Sequence, residues 1–464
     1  MRSKLFGDKA FYRRVLILTI PILIQNFITN FVSMLDNVMV GRVGGAEMSG
    51  VAVANQLIFV FNLCIFGAIS GAGIYGAQFH GSGDVKGVRD TFRFKLMASV
   101  ALTVIGLTVF LTLGDPLIKA YLKGEGDPAS AVASFGFATE YLLIMLIGLF
   151  PYAISQCYAG TLRETGKTVF PMLAGITAVL VNLVLNWLLI FDHFGYEGLG
   201  VRGAAIATVI SRFVELTILV IGTARSPHKH PFIVGAYRSM AIPVVLVKKI
   251  LSKALPLLAN ESLWAGGVAM LNQCYSERGL NVVEANNICQ TFFNLFAVAF
   301  IAVGAAVAII LGQQLGAGKL EEARDSSTKL ITFSVMVSIV FAILFAIAAE
   351  FIPRFYNTTD EVRELATGLM QICALIMPLD AFVHAGYFTI RAGGKMLMAF
   401  LFDSGFSWSI AVPVAFVLSR FTEIPILPMF LICQLLILIK CALCFYFVKK
   451  GGWLVNMVAE EPAN

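Results

Sequence analysis

The sequence predicts an all-α polytopic membrane protein, with twelve transmembrane helices in two six-helix lobes related by a parallel repeat. Three observations carry this. The chain is too apolar for a water-soluble domain, with 58% hydrophobic and 13% charged residues and a mean hydropathy of +0.83, where soluble domains carry about 25% charged residues. It repeats itself at an offset of about 235 residues: Gln78, Gly81, Gly83, Arg89 and Asp90 return as Gln313, Gly316, Gly318, Arg324 and Asp325. Pro21 likewise returns as Pro256, Phe61-Asn62-Leu63 as Phe293-Asn294-Leu295, and Arg163-x-x-Gly166-Lys167 as Arg391-x-x-Gly394-Lys395. Finally, at roughly 20 to 25 residues per span plus loops, 464 residues hold about twelve helices.

The first span, 15–40, has no small-residue cleavage site after it, so it is expected to be a retained helix and not a removed signal peptide. Spans 48–79 and 91–114 flank the first copy of the Gln-Gly-Gly-Arg-Asp loop. Spans 133–160 and 168–192 flank the Arg163-x-x-Gly166-Lys167 turn, and 199–224 closes the first half. Residues 225–242 hold Pro227, His228, His230, Pro231 and Gly235, a polar, turn-rich boundary. The second half repeats the order with spans 243–277, 283–314, 326–352, 362–390, 396–420 and 426–448. The expected domains are therefore an N-terminal lobe (1–224), a cytoplasmic linker (225–242) and a C-terminal lobe with a short cytoplasmic tail (243–464). Gly81, Gly83, Gly316 and Gly318 are expected to serve the bends between spans and not solute contact.

Placing alternate loops on the side of the N terminus collects roughly 24 of the 34 basic residues there, among them Arg13, Lys86, Arg163, Lys248, Lys319 and Lys449. Both termini are then expected to be cytoplasmic. Six spans per half is an even number, so both copies enter the membrane in the same sense and the repeat is parallel. The formal net charge of +6 is spread over short loops as a topology signal, with no contiguous basic, aromatic-rich surface for nucleic acid. All eight cysteines lie in or beside apolar runs and read as small buried hydrophobes, including the Cys441-x-x-Cys444 pair inside the last span.

Charges inside spans are the candidates for chemistry, since each costs about 2.5 to 3.5 kcal/mol at a helix centre and needs a partner, a wet cavity or a task. They are Asp36, Glu140, Arg212, Glu215, Glu261, Asp380 and Asp403. Arg212 and Glu215, three apart on one helix, are expected to neutralise one another. Glu140 is expected to reach the interface, and Asp403 to cap or hydrogen-bond a neighbouring helix. Asp36, Glu261 and Asp380 have no opposite charge within a helical turn. Pro256 and Pro378 precede the last two, and a proline frees a backbone carbonyl where a cation is received. Each acid reads either as a neutral, hydrogen-bonded group or as an exchangeable site for a proton or sodium ion. Asn182 and Asn186, four apart, share a helix face and offer amide oxygens to a hard cation, or hydrogen bonds to a neighbouring helix.

The LDNVMVGRVGG segment, the QFHGSGD and QQLGAGK loops, the N-x-x-x-N pair followed by GLGVRGAAIAT, and the RETGK and RAGGK turns resemble the multidrug and toxic compound extrusion (MATE) transporters over nearly the whole chain. The resemblance implies a twelve-helix, two-lobe exporter in the plasma membrane. Such a protein exchanges small cationic or amphipathic organic solutes for H⁺ or Na⁺ by alternating access, as a monomer and without a further cofactor. It implies an N-lobe cation site at Asp36, Asn182 and Asn186, which is also the candidate sodium site. It implies C-lobe solute or proton sites at Glu261 and Asp380, as in the NorM-like branch. Asn186 stands where the DinF-like branch typically carries Asp. Two other readings stand beside this one. A flippase for lipid-linked sugars should need several basic residues inside the spans, where Arg212 is almost alone. An intramembrane enzyme should show a zinc pair or nucleophile elbow, and neither H-E-x-x-H nor G-x-S-x-G occurs. His384, one turn after Asp380, is placed either to tune it or to be held in structure.

Overall fold

The computed structural model of the protein describes residues 5–122, 128–191 and 198–459. Every regular element among the described residues is helical, as lipid requires of a spanning chain whose backbone groups must be satisfied within each segment. In order these are α1 (Lys9–Gly41), α2 (Gly45–Ser82), α3 (Val85–Leu122), α4 (Pro128–Ile147), α5 (Leu149–Glu164), α6 (Val169–Ile190), α7 (Gly200–Arg225), α8 (Val244–Ser276), α9 (Leu280–Gly316), α10 (Leu320–Ala349), α11 (Asp360–Ala392), α12 (Met396–Phe400), α13 (Val412–Phe421), α14 (Ile426–Leu435) and α15 (Ile437–Lys450). Three expected spans are interrupted. The fourth divides into α4 and α5 at Gly148, the twelfth into α14 and α15 at Leu436, and the eleventh passes from α12 to α13 through π-helical turns Leu401–Gly405 and Ser407–Ala411.

Among the described residues eleven helices are long and apolar enough to cross a membrane. The remaining span is α8, whose apolar run is diluted by Pro256, Asn260 and Glu261. The fold class is the expected one, an all-α polytopic membrane protein. Pro21, Pro256 and Pro378 lie inside continuous helices. Around Pro378, Ser338 and Ser334 of α10 donate to the carbonyls of Met377 (3.0 Å) and Ala381 (3.3 Å), tying that stretch of α11 to its neighbour.

The chain divides into two compact units. The first comprises residues 1–23, 77–83 and 259–464, the second residues 24–76 and 84–258. These bounds fall inside α1, α2 and α8, so the units differ from the lobes expected at 1–224 and 243–464: residues 1–23 and 77–83 group with the second half, and 243–258 with the first. Helices of 33 residues, as α1 and α8 are, are long enough to contribute to a different unit at each end.

Inside the first unit the repeated motif explains itself. A Cβ on Gly81 would overlap the carbonyl oxygen of Gln313, and one on Gly316 the carbonyl oxygen of Gln78. The two copies meet through reciprocal backbone contact, for which only glycine leaves room. Gly83 and Gly318 have the separate task of making the turns, with φ of +81° and +73°. Gln78 also holds the chain's end: its Nε2 donates to the carbonyls of Ala392 (3.0 Å) and Val455 (3.2 Å), and its Oε1 accepts from the Met457 N–H (2.8 Å). Trp453, 1% exposed, packs with Val15, Leu18 and α9 residues. Residues 460–464 lie outside the described residues.

In the second unit, the segment expected as a linker is docked. Arg93 of α3 donates to the carbonyls of Gly235 (2.8 Å) and Ala236 (2.9 Å) while pairing with Asp90 at 3.0 Å. Phe232 packs edge-on against Phe92, and Tyr237 hydrogen-bonds Tyr158. His230 is buried between Phe170 and Phe232 with its Nδ1 unpartnered. Desolvation, reinforced by Lys167, Lys229 and His228, lowers its pKa below the ordinary 6.5.

Two predictions follow from these contacts. Gly81→Ala and Gly316→Ala should each cost the fold several kcal/mol, because backbone and not a movable side chain blocks the methyl, whereas Gly83→Asn should be much milder because Asn tolerates positive φ; thermal melting of detergent-purified protein measures the difference. Since the folded-state pKa of His230 is depressed, the unfolded segment binds a proton first as pH falls below about 6.5. Docking of residues 226–241 should therefore weaken from pH 7.5 to 5.5, read as faster hydrogen exchange, and His230→Phe should remove that pH dependence.

Candidate functional site

Each half of the chain carries a carboxylate site, and each site lies within one compact unit. In the second unit, Asp36 on α1 is met by α6. The Asn186 Nδ2 donates to Asp36 Oδ1 at 2.7 Å and to Asn182 Oδ1 at 3.2 Å, and Asn182 Nδ2 donates to Thr208 Oγ1 of α7 at 3.2 Å. The four-residue spacing of the two asparagines puts both amides on one face of α6 and makes this chain of hydrogen bonds possible. Asn182 and Asn186 are buried, and Asn186 Oδ1 has no partner. The three residues expected together are together. A hard cation here would be received by Asp36 and the spare Asn186 oxygen. Asn182 Oδ1 is already committed to Asn186, and the group facing Asp36 is an N–H. Among the described residues no group of three or more His, Cys, Asp and Glu forms a metal cluster.

In the first unit Glu261 and Asp380 do not touch. Glu261 Oε1 accepts from Tyr387 Oη at 3.4 Å. Asp380 lies two turns before Tyr387 on α11, about 10 Å along the helix, and among the described residues no hydrogen bond or ion pair reaches its carboxylate. His384 packs against Phe300 and Phe388 with Nε2 unpartnered, so it is held by rings and not by Asp380. Asp403 meets neighbouring helices, as its position suggested: its Oδ2 accepts from Asn260 Nδ2 at 3.2 Å and its Oδ1 from Lys440 Nζ at 2.8 Å.

Elsewhere the charges in spans divide. Glu140 pairs with Arg202. The expected Arg212–Glu215 pair does not form. Arg212 instead donates to the Gly148 carbonyl at 3.2 Å, where α4 breaks into α5, and lies 5.0 Å over the Tyr152 ring. That carbonyl also accepts the Tyr152 N–H at 3.2 Å, so Arg212 takes its second acceptor position. Cys444 packs against Gly386 and Cys441 faces the Leu379 carbonyl, and all eight cysteines are free.

Two lysines escaped the sequence reading, Lys95 and Lys440. Both lie inside predicted spans, yet each sits near a basic loop and reads there as a side chain reaching for the interface. Lys95 is fully buried, with its Nζ donating to both oxygens of Glu164 (2.6 and 2.5 Å) and to Thr161 Oγ1 (3.1 Å). Gly73 and Gly76 of α2 make room for that carboxylate. Arg212 is thus not nearly alone, although Lys95 and Lys440 are each engaged by an acid.

The sequence profile of the MatE family matches residues 21–188 and 267–417. The chain is 24% identical over 439 residues to the probable multidrug resistance protein NorM of Thermotoga maritima, covering 94% of this chain and 92% of that relative. It is 26% identical over 419 residues to the multidrug resistance protein MdtK of Photorhabdus laumondii, covering 88% and 87%. Its fold matches the crystal structure of MATE in complex with MaL6 with a TM-score of 0.84 at 18% identity, over 97% of this chain and 98% of that one.

The buried pair makes a prediction of its own. Lys95→Met should destabilise by about 3 to 5 kcal/mol because Glu164 is left as an uncompensated buried charge, and the double variant Lys95→Met/Glu164→Gln should recover much of that loss; thermal unfolding of the purified variants checks both.

Proposed function

The chain belongs to the MATE family of membrane transporters, and from that premise we propose that it is a cation-coupled antiporter exporting hydrophobic, often cationic, organic solutes by alternating access. It is a multidrug efflux transporter and not an enzyme. The observation that carries the coupling reading is Asp36, a carboxylate inside an apolar helix whose hydrogen-bond partner is the neutral Asn186 amide. Among the described residues no cation of the protein's own pairs with it, so that carboxylate is open to an exchangeable one. Asn182 and Asn186 orient it, and Glu261 and Asp380 receive solute or a proton in the other half.

The mechanism is competition for carboxylate charge. When Asp36 takes up H⁺ or Na⁺ from outside, its attraction for a cationic solute falls and solute leaves outward. Solute binding from inside favours release of the ion inward by the same coupling energy, as linkage requires. An inward-negative membrane potential adds about 2.3 kcal/mol per charge per 100 mV for each net charge moved inward. The reading places the protein in the plasma membrane as a monomer with both termini cytoplasmic, supported by the Lys and Arg of the loops on that side. The coupling ion is H⁺ or Na⁺, and no resident cofactor is invoked.

Efflux of a cationic dye from proteoliposomes under separately imposed pH and sodium gradients tests this. Asp36→Asn should cut gradient-driven efflux roughly tenfold or more while counterflow persists. Glu261→Gln and Asp380→Asn should instead change solute affinity or range. Near-normal coupled efflux by well-folded Asp36→Asn would overturn the role of Asp36, and identical defects in all three variants would argue for one shared site.

A further inference from the structure

The C-terminal carboxylate site contains a cation of its own. Lys440 lies ten residues before the end of α15, within an apolar span where a charge costs about 2.5 to 3.5 kcal/mol. Its ammonium group pairs with Asp403 Oδ1 at 2.8 Å, between the rings of Phe402 (5.5 Å) and Phe406 (5.6 Å). The pair is linked onward. Asp403 Oδ2 accepts from Asn260 Nδ2 (3.2 Å), which also donates to Tyr387 Oη (3.3 Å), and that hydroxyl donates to Glu261 (3.4 Å). One hydrogen-bonded chain thus joins Lys440 to the proposed solute-receiving Glu261.

Asp403 is presented by a π-helical turn, a distortion that is frequent at functional sites. Asn260 secures that turn from α8, its carbonyl and Oδ1 each accepting from Ser404 Oγ at 2.8 Å, and Trp408 Nε1 donates to the Leu263 carbonyl at 2.8 Å. On the other side of Lys440, the next residue, Cys441, faces the Leu379 carbonyl at 4.0 Å, directly beside Asp380. A lysine's four-carbon stem is flexible, and Asp380, which no hydrogen bond or ion pair holds among the described residues, already lies within the electrostatic reach of Lys440. Arg391, over the rings of Phe388 and Tyr387 (5.2 and 5.9 Å), is a second cation of the site, and its charge acts on Glu261.

We propose that Lys440 is an internal counter-ion of the C-terminal site, a tethered ammonium that Asp403 holds in reserve and that competes with cationic solute for Glu261 and Asp380. It rests on the reading that these two acids receive such solutes. Lys440 then sets the solute charge the site accepts, and Asp403 is a positioning residue that keeps the ammonium parked.

Binding of tetraphenylphosphonium to the purified full-length protein decides this by sign. Lys440→Met should tighten binding roughly tenfold, Asp403→Asn should weaken it by a similar factor because the freed ammonium reaches Asp380, and the double variant should return close to wild type. Lys440→Arg should stay near wild type. Should Lys440→Met fail to fold, Lys440→Gln carries the same test. Weakening of similar size in both single variants, as loss of a merely structural bridge would give, overturns the proposal. A wild-type protein that binds and transports no organic cation would instead overturn the functional reading, and this inference with it.

Discussion

Charge in an apolar medium must be answered from within the protein, and the arrangement of this structure follows from how each charge is answered. A lysine or carboxylate inside a span has no water to turn to, so its partner has to come from another helix. Lys95 of α3 finds Glu164 of α5, Lys440 of α15 finds Asp403 beside α12, and Arg212 of α7 finds the Gly148 carbonyl between α4 and α5. These are cross-links between helices that lack a hydrophobic driving force for association in lipid. They also identify the exceptions. Among the described residues Asp36 is hydrogen-bonded only by a neutral amide, and no hydrogen bond or ion pair holds Asp380.

The two sites solve the same problem differently, although they descend from one repeat. At the repeat offset Asn26 stands opposite Glu261, and Asp36 opposite Leu271. One half therefore holds a single acid on a relay of asparagines, and the other a set of acids with a lysine and tyrosine threaded among them. A lone carboxylate on neutral donors suits exchange of a small ion, because its charge is the only one that changes. A site of three acids with built-in cations suits selection among larger solutes, because several charges share the work. The reciprocal contacts of Gly81 with the Gln313 carbonyl and of Gly316 with the Gln78 carbonyl keep the ancestral symmetry, because a backbone approach of that closeness admits no other residue.

The same contact region carries an unexpected load. Gln78, repeated in the sequence as Gln313, is the residue to which the chain's last described segment is tied through Val455 and Met457. Arg93 does comparable work in the other unit by gathering the carbonyls of the segment between the halves. Segments that read as a tail and a linker are thus packed structure, because single polar side chains on long helices satisfy several of their backbone groups.

By itself the sequence determined the class, the spans, the repeat and the positions of most charges, since composition, periodicity and spacing are properties of the chain and the bilayer imposes helices on it. It also determined that Asn182 and Asn186 share a face, which follows from helical geometry. What only the tertiary structure decided is pairing. Nothing along the chain says that Asn186 reaches Asp36 150 residues away, that Lys440 belongs to Asp403 and not to the interface, or that Arg212 prefers the Gly148 carbonyl to Glu215 three residues on. Local spacing favours the near partner. The packed fold overrides it, because in a low-dielectric interior the partner with the better geometry wins, whatever its distance in sequence.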